Sequence, residues 1–191
     1  MGQEGKAVRG LPLKMDVVVI GAGASGLMCG IEAGKRNRSV LIIDHAGQPG
    51  EKIRISGGGH CNFTNINLHY ENYHSNNPHF CKSAIARYVP YNFIDILNKH
   101  GINYYEKEKG QMFCKNSAAG IIKMLGEECN KVGAQILLNC RIKEIKLIKE
   151  RCFQIKTSLG EIASESLVVA TGGLSYPASG ATDFGYRIAR Q

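Results

Sequence analysis

The fold is decided by the stretch Asp16-Val-Val-Val-Ile-Gly-Ala-Gly-Ala-Ser-Gly-Leu-Met-Cys-Gly30, which is followed by Ser39-Val-Leu-Ile-Ile-Asp44. An apolar run leads into a Gly-x-Gly-x-x-Gly turn, a helix rich in small residues follows, and a second apolar run ends in an acid. This order is typical of a unit that binds a dinucleotide. It predicts a Rossmann-like α/β fold with a parallel sheet and crossover helices.

The three glycines of the turn each have a physical role. Gly21 allows a tight turn out of the strand, Gly23 lets backbone approach a pyrophosphate, and Gly26 lets the helix lie close to the sheet. Ala24 and Ser25 lie between them at the start of the helix. Free N–H groups and the helix dipole favour an anion there.

Asp44 ends the second strand 23 residues after Gly21. A carboxylate at about this distance reaches the ribose hydroxyls of a bound dinucleotide. It would repel a 2′-phosphate, so we expect FAD or NAD and not NADP. The alternative, that the glycines serve only the packing of the turn, leaves this acid unexplained. A Walker A loop is excluded because Leu27 and Met28 stand where that motif has Lys and Ser or Thr.

Length and composition indicate a globular protein. The chain has 191 residues, of which 43% are hydrophobic, and this suffices for one core of ordinary domain size. The sequence contains no apolar run of about 18 to 20 residues, so we expect no membrane span, and the first residues do not resemble a signal peptide. We therefore expect a cytoplasmic protein. Residues 1–14 show no periodicity and are predicted to be a disordered leader, and the domain is predicted to cover residues 15–191.

The cysteines and histidines predict neither a disulfide framework nor a metal site. The seven cysteines are odd in number and form no Cys-x-x-Cys pair, so they are interpreted as reduced thiols. His69, His74 and His79 recur every fifth residue near Cys81, and this spacing fits neither one face of a helix nor a zinc finger.

The net charge of +8 suggests a nucleic acid as one alternative partner. The densest basic segment, residues 141–151, alternates with apolar residues and contains Glu144 and Glu150. This pattern is typical of the solvated face of a β-hairpin. The sequence shows no RNA-recognition module, so we expect a small-molecule substrate in preference to a nucleic acid. It does not indicate the oligomeric state.

Periodicity and turn residues predict the remaining elements. The predicted strands are Asp16 to Ile20, Val40 to Ile43, Ala134 to Leu138, a meander of Arg141 to Ile148, Cys152 to Thr157 and Glu161 to Ala163, and a returning strand Leu167 to Ala170. Asn103 to Lys107 and Gln111 to Cys114 are predicted to form a hairpin that turns near Lys109 and Gly110. The predicted helices are Ala24 to Arg36, Pro78 to Val89, Pro90 to His100 and Ala118 to Lys131.

Two further glycine clusters stand out. The segment His45 to Asn65 is predicted to be a loop, and Gly57, Gly58 and Gly59 within it are costly to order unless a ligand or another backbone approaches closely. A flexible linker is the alternative. Thr171-Gly-Gly173 follows the returning strand. Ligands of doubly wound sheets bind at the carboxyl ends of strands, so this cluster and the first glycine turn are predicted to line one crevice.

Four blocks of this sequence resemble the BaiN-like, or YhiN-like, flavoproteins, which are FAD-dependent oxidoreductases. The blocks are Val19-Ile-Gly-Ala-Gly-Ala-Ser-Gly26, Ile55-Ser-Gly-Gly-Gly-His-Cys-Asn-Phe-Thr-Asn65, Gly110-Gln-Met-Phe113, and Val169-Ala-Thr-Gly-Gly-Leu-Ser-Tyr-Pro177 with Gly180-Ala-Thr182. The second and fourth are much more specific than the first. The resemblance implies an N-terminal half that binds FAD in an extended conformation, with NAD(P)H as a candidate electron donor.

The resemblance also implies which residues meet the cofactor. The diphosphate would meet Gly21, Gly23, Ala24, Ser25 and Gly26, the adenosine would meet Asp44, His45 and Ile142, the flavin side would meet Lys52, Ser56, Gly57, Gly58, Gly59, His60, Cys61 and Asn62, and backbone would return to the cofactor at Ala170, Thr171, Gly172 and Gly173.

This sequence departs from the family pattern at two positions. His60 stands where arginine is usual, which implies a weaker and pH-dependent charge, and Cys114 stands where proline is common. No acid, base or nucleophile is assigned, because the flavin would carry the chemistry and His60 and Cys61 have no activating partner nearby in the sequence. The last residues read as the interior of a helix, so we expect a fragment of a longer enzyme.

Three functional hypotheses follow from the sequence. The first is the FAD-binding part of an oxidoreductase that transfers hydride through the flavin to or from a small organic substrate. The second is a non-catalytic module that binds FAD or NAD. The third, suggested by the basic charge, is a flavoprotein that acts on RNA.

Overall fold

The computed structural model describes residues 14–149, 152–174 and 182–190. Their strands are β1 (Lys14–Ile20), β2 (Val40–Ile43), β3 (Asn62–Asn65), β4 (Tyr104–Glu106), β5 (Gln111–Cys114), β6 (Gln135–Leu137), β7 (Ile142–Lys149), β8 (Cys152–Thr157) and β9 (Glu161–Val169). Their α-helices are α1 (Ala24–Gly34), α2 (Glu51–Ile55), α3 (Lys82–Arg87), α4 (Pro90–Lys99), α5 (Ala118–Lys131) and α6 (Phe184–Ala189). The chain divides into two compact units: the first runs up to Lys52 and again from Leu125, and the second is Ile53–Met124.

The first unit is built on a sheet with the strand order β6-β2-β1-β9-β8-β7. β1 pairs in parallel with both β2 and β9, and β2 pairs in parallel with β6. β7, β8 and β9 form an antiparallel meander. This arrangement confirms the predicted Rossmann-like fold with a parallel sheet, crossover helices and a three-stranded meander.

Burial explains why these segments pair as they do. Every residue of β2 is buried, and one core cluster of the first unit joins strands from both parts of the sheet: Met15, Val18, Leu41, Ile43, Cys140, Ile155 and Ile162. The absence of a side chain at Gly30 lets α1 lie close to β2, since a β-carbon there would be 2.5 Å from the Cδ1 of Ile42. Asn37, in the left-handed region at φ 57°, lies just beyond the end of this helix.

The β7–β8 hairpin carries the basic segment. Glu144 accepts from the ammonium groups of Lys146 at 2.9 Å and Lys156 at 3.4 Å. These pairs are solvent-exposed, and the hydrogen bond from Lys146 lowers the pKa of the Glu144 carboxyl. Arg151 of the basic segment lies outside the described residues.

Several boundaries differ from the sequence prediction. The meander strand from Glu161 and the returning strand to Ala170 form one continuous strand, β9, because residues 161–164 pair with β8 and residues 163–169 pair with β1. The helix predicted from Pro78 to Val89 is shorter in the structure, where α3 begins at Lys82 and ends at Arg87. The predicted loop His45 to Asn65 contains α2, a 3₁₀ turn at Ser56–Gly59 and β3.

The predicted leader falls almost entirely outside the described residues, as do residues 175–181 of the fourth family block. Lys14, assigned to the leader from the sequence, is the first residue of β1. Among the helices that the structure describes, none combines the length and apolar character required to cross a membrane.

The second unit contains a small antiparallel sheet with the order β3-β5-β4. β4 and β5 form the hairpin predicted around Lys109 and Gly110, both of which have positive φ. Phe63 of β3 packs against Phe93 of α4 at a ring distance of 5.8 Å and edge-on against Tyr104 of β4 at 6.0 Å. An aromatic cluster therefore joins the sheet of this unit to α4.

Candidate nucleotide-binding site

A cavity of about 760 Å³ lies in the first unit, where β1, β2 and β9 end. Eleven of the residues predicted to bind the cofactor line it: Gly21, Gly23, Ala24, Ser25, Asp44, His45, Lys52, Ile142, Ala170, Thr171 and Gly172. The glycine turn after β1 and the Thr171-Gly-Gly cluster after β9 therefore meet in one crevice, as the sequence predicts. The reason is topological, since parallel neighbours β1 and β9 present their carboxyl ends at the same edge of the sheet.

The glycine turn is compact at two of its glycines and open at the third. Gly21 has φ +109°, and a β-carbon there would be 2.5 Å from the carbonyl oxygen of Ala170. A β-carbon on Gly26 would collide with the carbonyl oxygen of Gly21. At Gly23 nothing lies within 4 Å of such a carbon, so this residue faces the cavity. Gly26 thus contributes to packing behind the cavity, while Gly23 leaves room for a ligand.

The N-terminus of α1 offers backbone N–H groups to the cavity. The N-cap is Gly23, which has no side chain to cap the helix, and the first turn contains no acid. The first α-helical hydrogen bond runs from the N–H of Leu27 to the carbonyl of Gly23 at 2.9 Å. The N–H groups of Ala24 and Ser25 precede that bond, and both residues are exposed and line the cavity. This end of the helix is suited to an anion.

Asp44 ties the two sides of the site together. Its Oδ2 accepts a hydrogen bond from the backbone N–H of Ala22 at 2.7 Å, and its Oδ1 accepts one from the N–H of Ala46 at 2.9 Å. The Nδ1 of His45 lies 3.3 Å from Oδ1. A carboxylate accepts about four hydrogen bonds, so Asp44 holds the glycine turn and keeps lone pairs for a ligand.

The segment after Asp44 supports the glycine turn from its other side. The N–H of Gly50 donates to the carbonyl of Ala22 at 2.9 Å. At the start of α2, the Nζ of Lys52 donates to the carbonyl of Gly173 at 2.9 Å. Gly172, which precedes that carbonyl, has φ +73°. The ammonium of Lys52 therefore lines the cavity and holds the loop that follows β9.

Sequence reasoning missed several lining residues. Arg141, Thr182, Phe184 and Arg187 also face the cavity. Gly185 brings α6 close, because a β-carbon there would be 2.7 Å from the Oγ1 of Thr171. Arg141 directly precedes the predicted Ile142, which was a usable signal. The α6 residues carry no motif, and only the approach of that helix to the end of β9 reveals them.

The predicted residues Ser56–Asn62 belong to the second unit and do not line the cavity as described. Gly57, Gly58 and Gly59 all have positive φ, which explains the glycine run. A β-carbon on Gly57 would be 2.6 Å from the ring of Phe113 and 3.0 Å from the backbone nitrogen of Asn62, so a side chain and backbone do approach there closely. Gly173 is also absent from the lining of the cavity.

Cys114, which stands where proline is common in the family, makes a backbone hydrogen bond that a proline would lack. Its backbone N–H donates to the carbonyl of His60 at 2.8 Å, and a proline could not make this bond. Burial raises the pKa of the Cys61 thiol, and the same cause raises that of Cys114 to about 11. Both thiols are therefore protonated at neutral pH and serve the packing of this loop. In the described part of the chain, no group of three or more His, Cys, Asp or Glu side chains is placed to hold a metal ion.

The fold and this cavity define a Rossmann-type dinucleotide-binding domain. Residues 15–191 match the family described as HI0933-like protein Rossmann domain, and the chain belongs to that family. Two curated relatives, from Escherichia coli and Haemophilus influenzae, are named ribosomal RNA dihydrouridine synthase; each is 46% identical over 93% and 91% of this chain. The 3-dehydro-bile acid delta(4,6)-reductase of Clostridium scindens is 26% identical over 90%. The resemblance to the BaiN-like flavoproteins is thereby confirmed.

The chain spans less than half of the length of these relatives, 44% for the first two and 42% for the third. Solved structures share the fold at low identity. Glycine oxidase from Geobacillus kaustophilus is 16% identical with a TM-score of 0.64, covering 93% of this chain and 59% of its own. L-proline dehydrogenase from P. horikoshii is 15% identical with a TM-score of 0.58, covering 93% and 57%.

Proposed function

We propose that the cavity of the first unit binds FAD, with the diphosphate at the N-terminus of α1. The observation that carries this proposal is the conjunction of Gly23, open to the cavity, with N–H groups at an uncapped helix start. The turn that presents these groups is held by Asp44, Gly50 and Ile43, whose carbonyl accepts from the N–H of Gly21 at 2.8 Å. A site fixed in this way loses little entropy on binding an anion.

The adenosine end of FAD fits the Asp44 side of the cavity. The carboxylate has lone pairs left for ribose hydroxyls, and Ile142 offers apolar surface for a base. A 2′-phosphate would be brought against the same carboxylate, so FAD or NAD is preferred to NADP here. The cavity volume of about 760 Å³ falls in the range of natural small-molecule sites.

Bound FAD would supply hydride transfer, and the described residues would bind and orient it. Lys52 fixes the loop after β9 and places a positive charge at the cavity wall. No described residue of this cavity is assigned as acid or base. The resemblance favours NAD(P)H as the electron donor.

The names of the relatives favour a reduction as the reaction of the longer protein. Dihydrouridine synthesis and Δ4,6 reduction are both reductions of a carbon–carbon double bond in a ring. The 46% identity to the two proteins named for RNA modification favours uridine in ribosomal RNA over a small organic molecule. The net charge of +8 supports this choice, because a polyanion gains affinity from basic protein. Of the three hypotheses drawn from the sequence, the flavoprotein that acts on RNA thus becomes the preferred one.

The cofactor proposal is tested by titrating the purified chain with FAD, NAD⁺ and NADP⁺ in a calorimeter. We expect binding of FAD, weaker binding of NAD⁺ and none of NADP⁺. Equal affinity for NADP⁺, or no response to FAD at saturation, would contradict the assignment of the cavity.

The substrate proposal needs the longer protein. Ribosomal RNA from cells with and without its gene is digested to nucleosides, and dihydrouridine is measured by mass spectrometry. Deleting the gene is expected to remove one dihydrouridine from the ribosomal RNA, and a plasmid copy of the gene is expected to restore it. An unchanged content would exclude RNA as substrate and leave the FAD site untouched.

A further inference from the structure

The second unit concentrates the aromatic residues of the chain. Its 72 residues, Ile53–Met124, contain ten of the fourteen Phe and Tyr residues of the 191-residue sequence. Two of these aromatic residues, Tyr73 and Phe80, lie in a run of ten consecutive exposed residues from Glu71 to Phe80. Exposed rings are unfavourable in water and mark contact surfaces when they cluster.

The cluster lies in the segment His69 to Lys82, which we term the aromatic loop. The rings of Tyr73 and Phe80 pack edge to face with centroids 6.4 Å apart, although their residues are 43% and 54% exposed. The ring of Tyr70 lies 4.4 Å from that of His69, and the Nζ of Lys82 lies 4.2 Å from its centroid. Aromatic faces and a cation are thus brought together by residues up to thirteen positions apart.

Hydrogen bonds within the aromatic loop hold these rings in place. The N–H of Tyr73 donates to the carbonyl of Tyr70 at 3.1 Å, and the N–H of Phe80 donates to that of Asn77 at 3.2 Å. The buried Cys81 thiol donates to the carbonyl of Tyr70 at 3.8 Å. The loop therefore presents Tyr73 and Phe80 in an ordered arrangement, as compact functional loops do.

Composition and charge indicate which partner fits. The aromatic loop contains no Leu, Ile, Val or Met, so its large exposed apolar side chains are aromatic rings. It contains His69, His74, His79 and four asparagine or serine residues, and its one acid, Glu71, lies 3.3 Å from the Nδ1 of His69. The whole second unit has eight Lys and Arg against four Asp and Glu. Rings among hydrogen-bonding and basic side chains suit a strand of stacked bases and phosphates.

We propose that the aromatic loop binds single-stranded RNA, with bases stacked on Tyr73 and Phe80 and a phosphate near Lys82. This inference rests on the proposed RNA substrate and assigns the surface that would capture it. Unpaired loops of a structured RNA are the natural targets, because only their bases are free to stack.

The test measures binding of a 5′-fluorescein-labelled 12-nucleotide oligouridylate to the 191-residue chain by fluorescence anisotropy at several salt concentrations. Replacing both rings, Tyr73→Ala with Phe80→Ala, is expected to weaken binding about a hundredfold, roughly tenfold for each stacked base. The exchange Tyr73→Phe with Phe80→Tyr keeps both rings and is expected to bind like the parent. Lys82→Gln is expected to lower the slope of log K against log salt by about 0.7.

Leu147→Ala is the matched control, because Leu147 is 61% exposed on β7 of the first unit. A comparable loss in that variant, no effect of the double alanine variant, or no binding by the parent chain at low salt would overturn the proposal. A lower melting temperature of the longer protein with both rings removed, at unchanged RNA affinity, would show that protein covers the loop, and would also overturn it.

Failure of this inference is separable from failure of the proposed function. Uridine reduction by the longer protein that is insensitive to both rings would refute the loop and leave the enzyme assignment standing. Oligouridylate binding that depends on the rings, without any dihydrouridine formed in cells, would refute the enzyme assignment and leave the RNA-binding role of the aromatic loop standing.

Discussion

The exchange Asp44→Asn tests whether one carboxylate both builds the glycine turn and selects the nucleotide. Each carboxylate oxygen accepts a different backbone N–H, that of Ala22 at 2.7 Å and that of Ala46 at 2.9 Å. An amide has only one acceptor oxygen, so its NH₂ group must face one of the two N–H donors. Ala22 is fully buried and Ala46 is half-buried, so the amide oxygen is expected to turn toward Ala22 and leave Ala46 to water.

This geometry sets the magnitude. An unsatisfied donor costs about 1 to 3 kcal/mol, and partial access to water places Asp44→Asn near the lower end, at about 1 kcal/mol. For a chain of this length that corresponds to a fall in melting temperature of about 2 to 4 °C. Asp44→Ala removes both acceptors and is expected to cost about 2 to 6 kcal/mol, twice the cost of about 1 to 3 kcal/mol for one unsatisfied donor.

Affinity for FAD falls for a second reason. A hydrogen bond to a charged group contributes about 1.5 to 3 kcal/mol, and the neutral amide retains part of it. We expect FAD to bind roughly tenfold more weakly to Asp44→Asn, and the preference for NAD⁺ over NADP⁺ to shrink because the repulsive charge is gone. Thermal unfolding without ligand and calorimetric titration with each nucleotide separate the two effects.

Asp16→Asn is the control, since Asp16 also accepts a backbone N–H, that of Ser39 at 2.8 Å, but lies outside the cavity lining. It is expected to leave nucleotide affinity unchanged. If Asp44→Asn were no less stable than the parent, and bound FAD and NADP⁺ in the parent's ratio, the role derived for this carboxylate would be refuted.

Two further predictions concern the glycine turn and a buried thiol. Gly21→Ala is expected to destabilise the protein by more than about 1 to 2 kcal/mol, because a side chain at φ +109° is strained and its β-carbon meets Ala170. Gly23→Ala places its β-carbon in open space, so it should lower the melting temperature less, as an N-cap change does, and should weaken FAD binding. Equal melting temperatures of the two variants would contradict this. Burial raises the pKa of the Cys129 thiol to about 11 from an ordinary value of 9.0. The free energy of unfolding is therefore retained below pH 9 and falls between pH 9 and 11, as the thiol of the unfolded chain ionises. Urea unfolding across this range should show a steeper decline in the parent than in Cys129→Ala, and parallel curves would contradict this.

The sequence predicted the elements that depend on local chemistry. The glycine turn, α1, the acid that ends β2 and the hairpin at Lys109 and Gly110 are found where periodicity and turn residues placed them. These features are local, because positive φ, helix capping and apolar alternation are properties of neighbouring residues.

Only the tertiary structure decided how distant segments meet. β9 is one strand instead of two because β1 pairs with it from Ala163 to Val169, a contact across more than a hundred residues that no window of sequence contains. The same pairing brings Thr171 to the glycine turn and allows α6 to supply Phe184 and Arg187 to the cavity. Packing likewise decides that Asp44 accepts hydrogen bonds from two backbone N–H groups and that the rings of Tyr73 and Phe80 meet. Packing positions the backbone through the whole fold and not through adjacent residues alone.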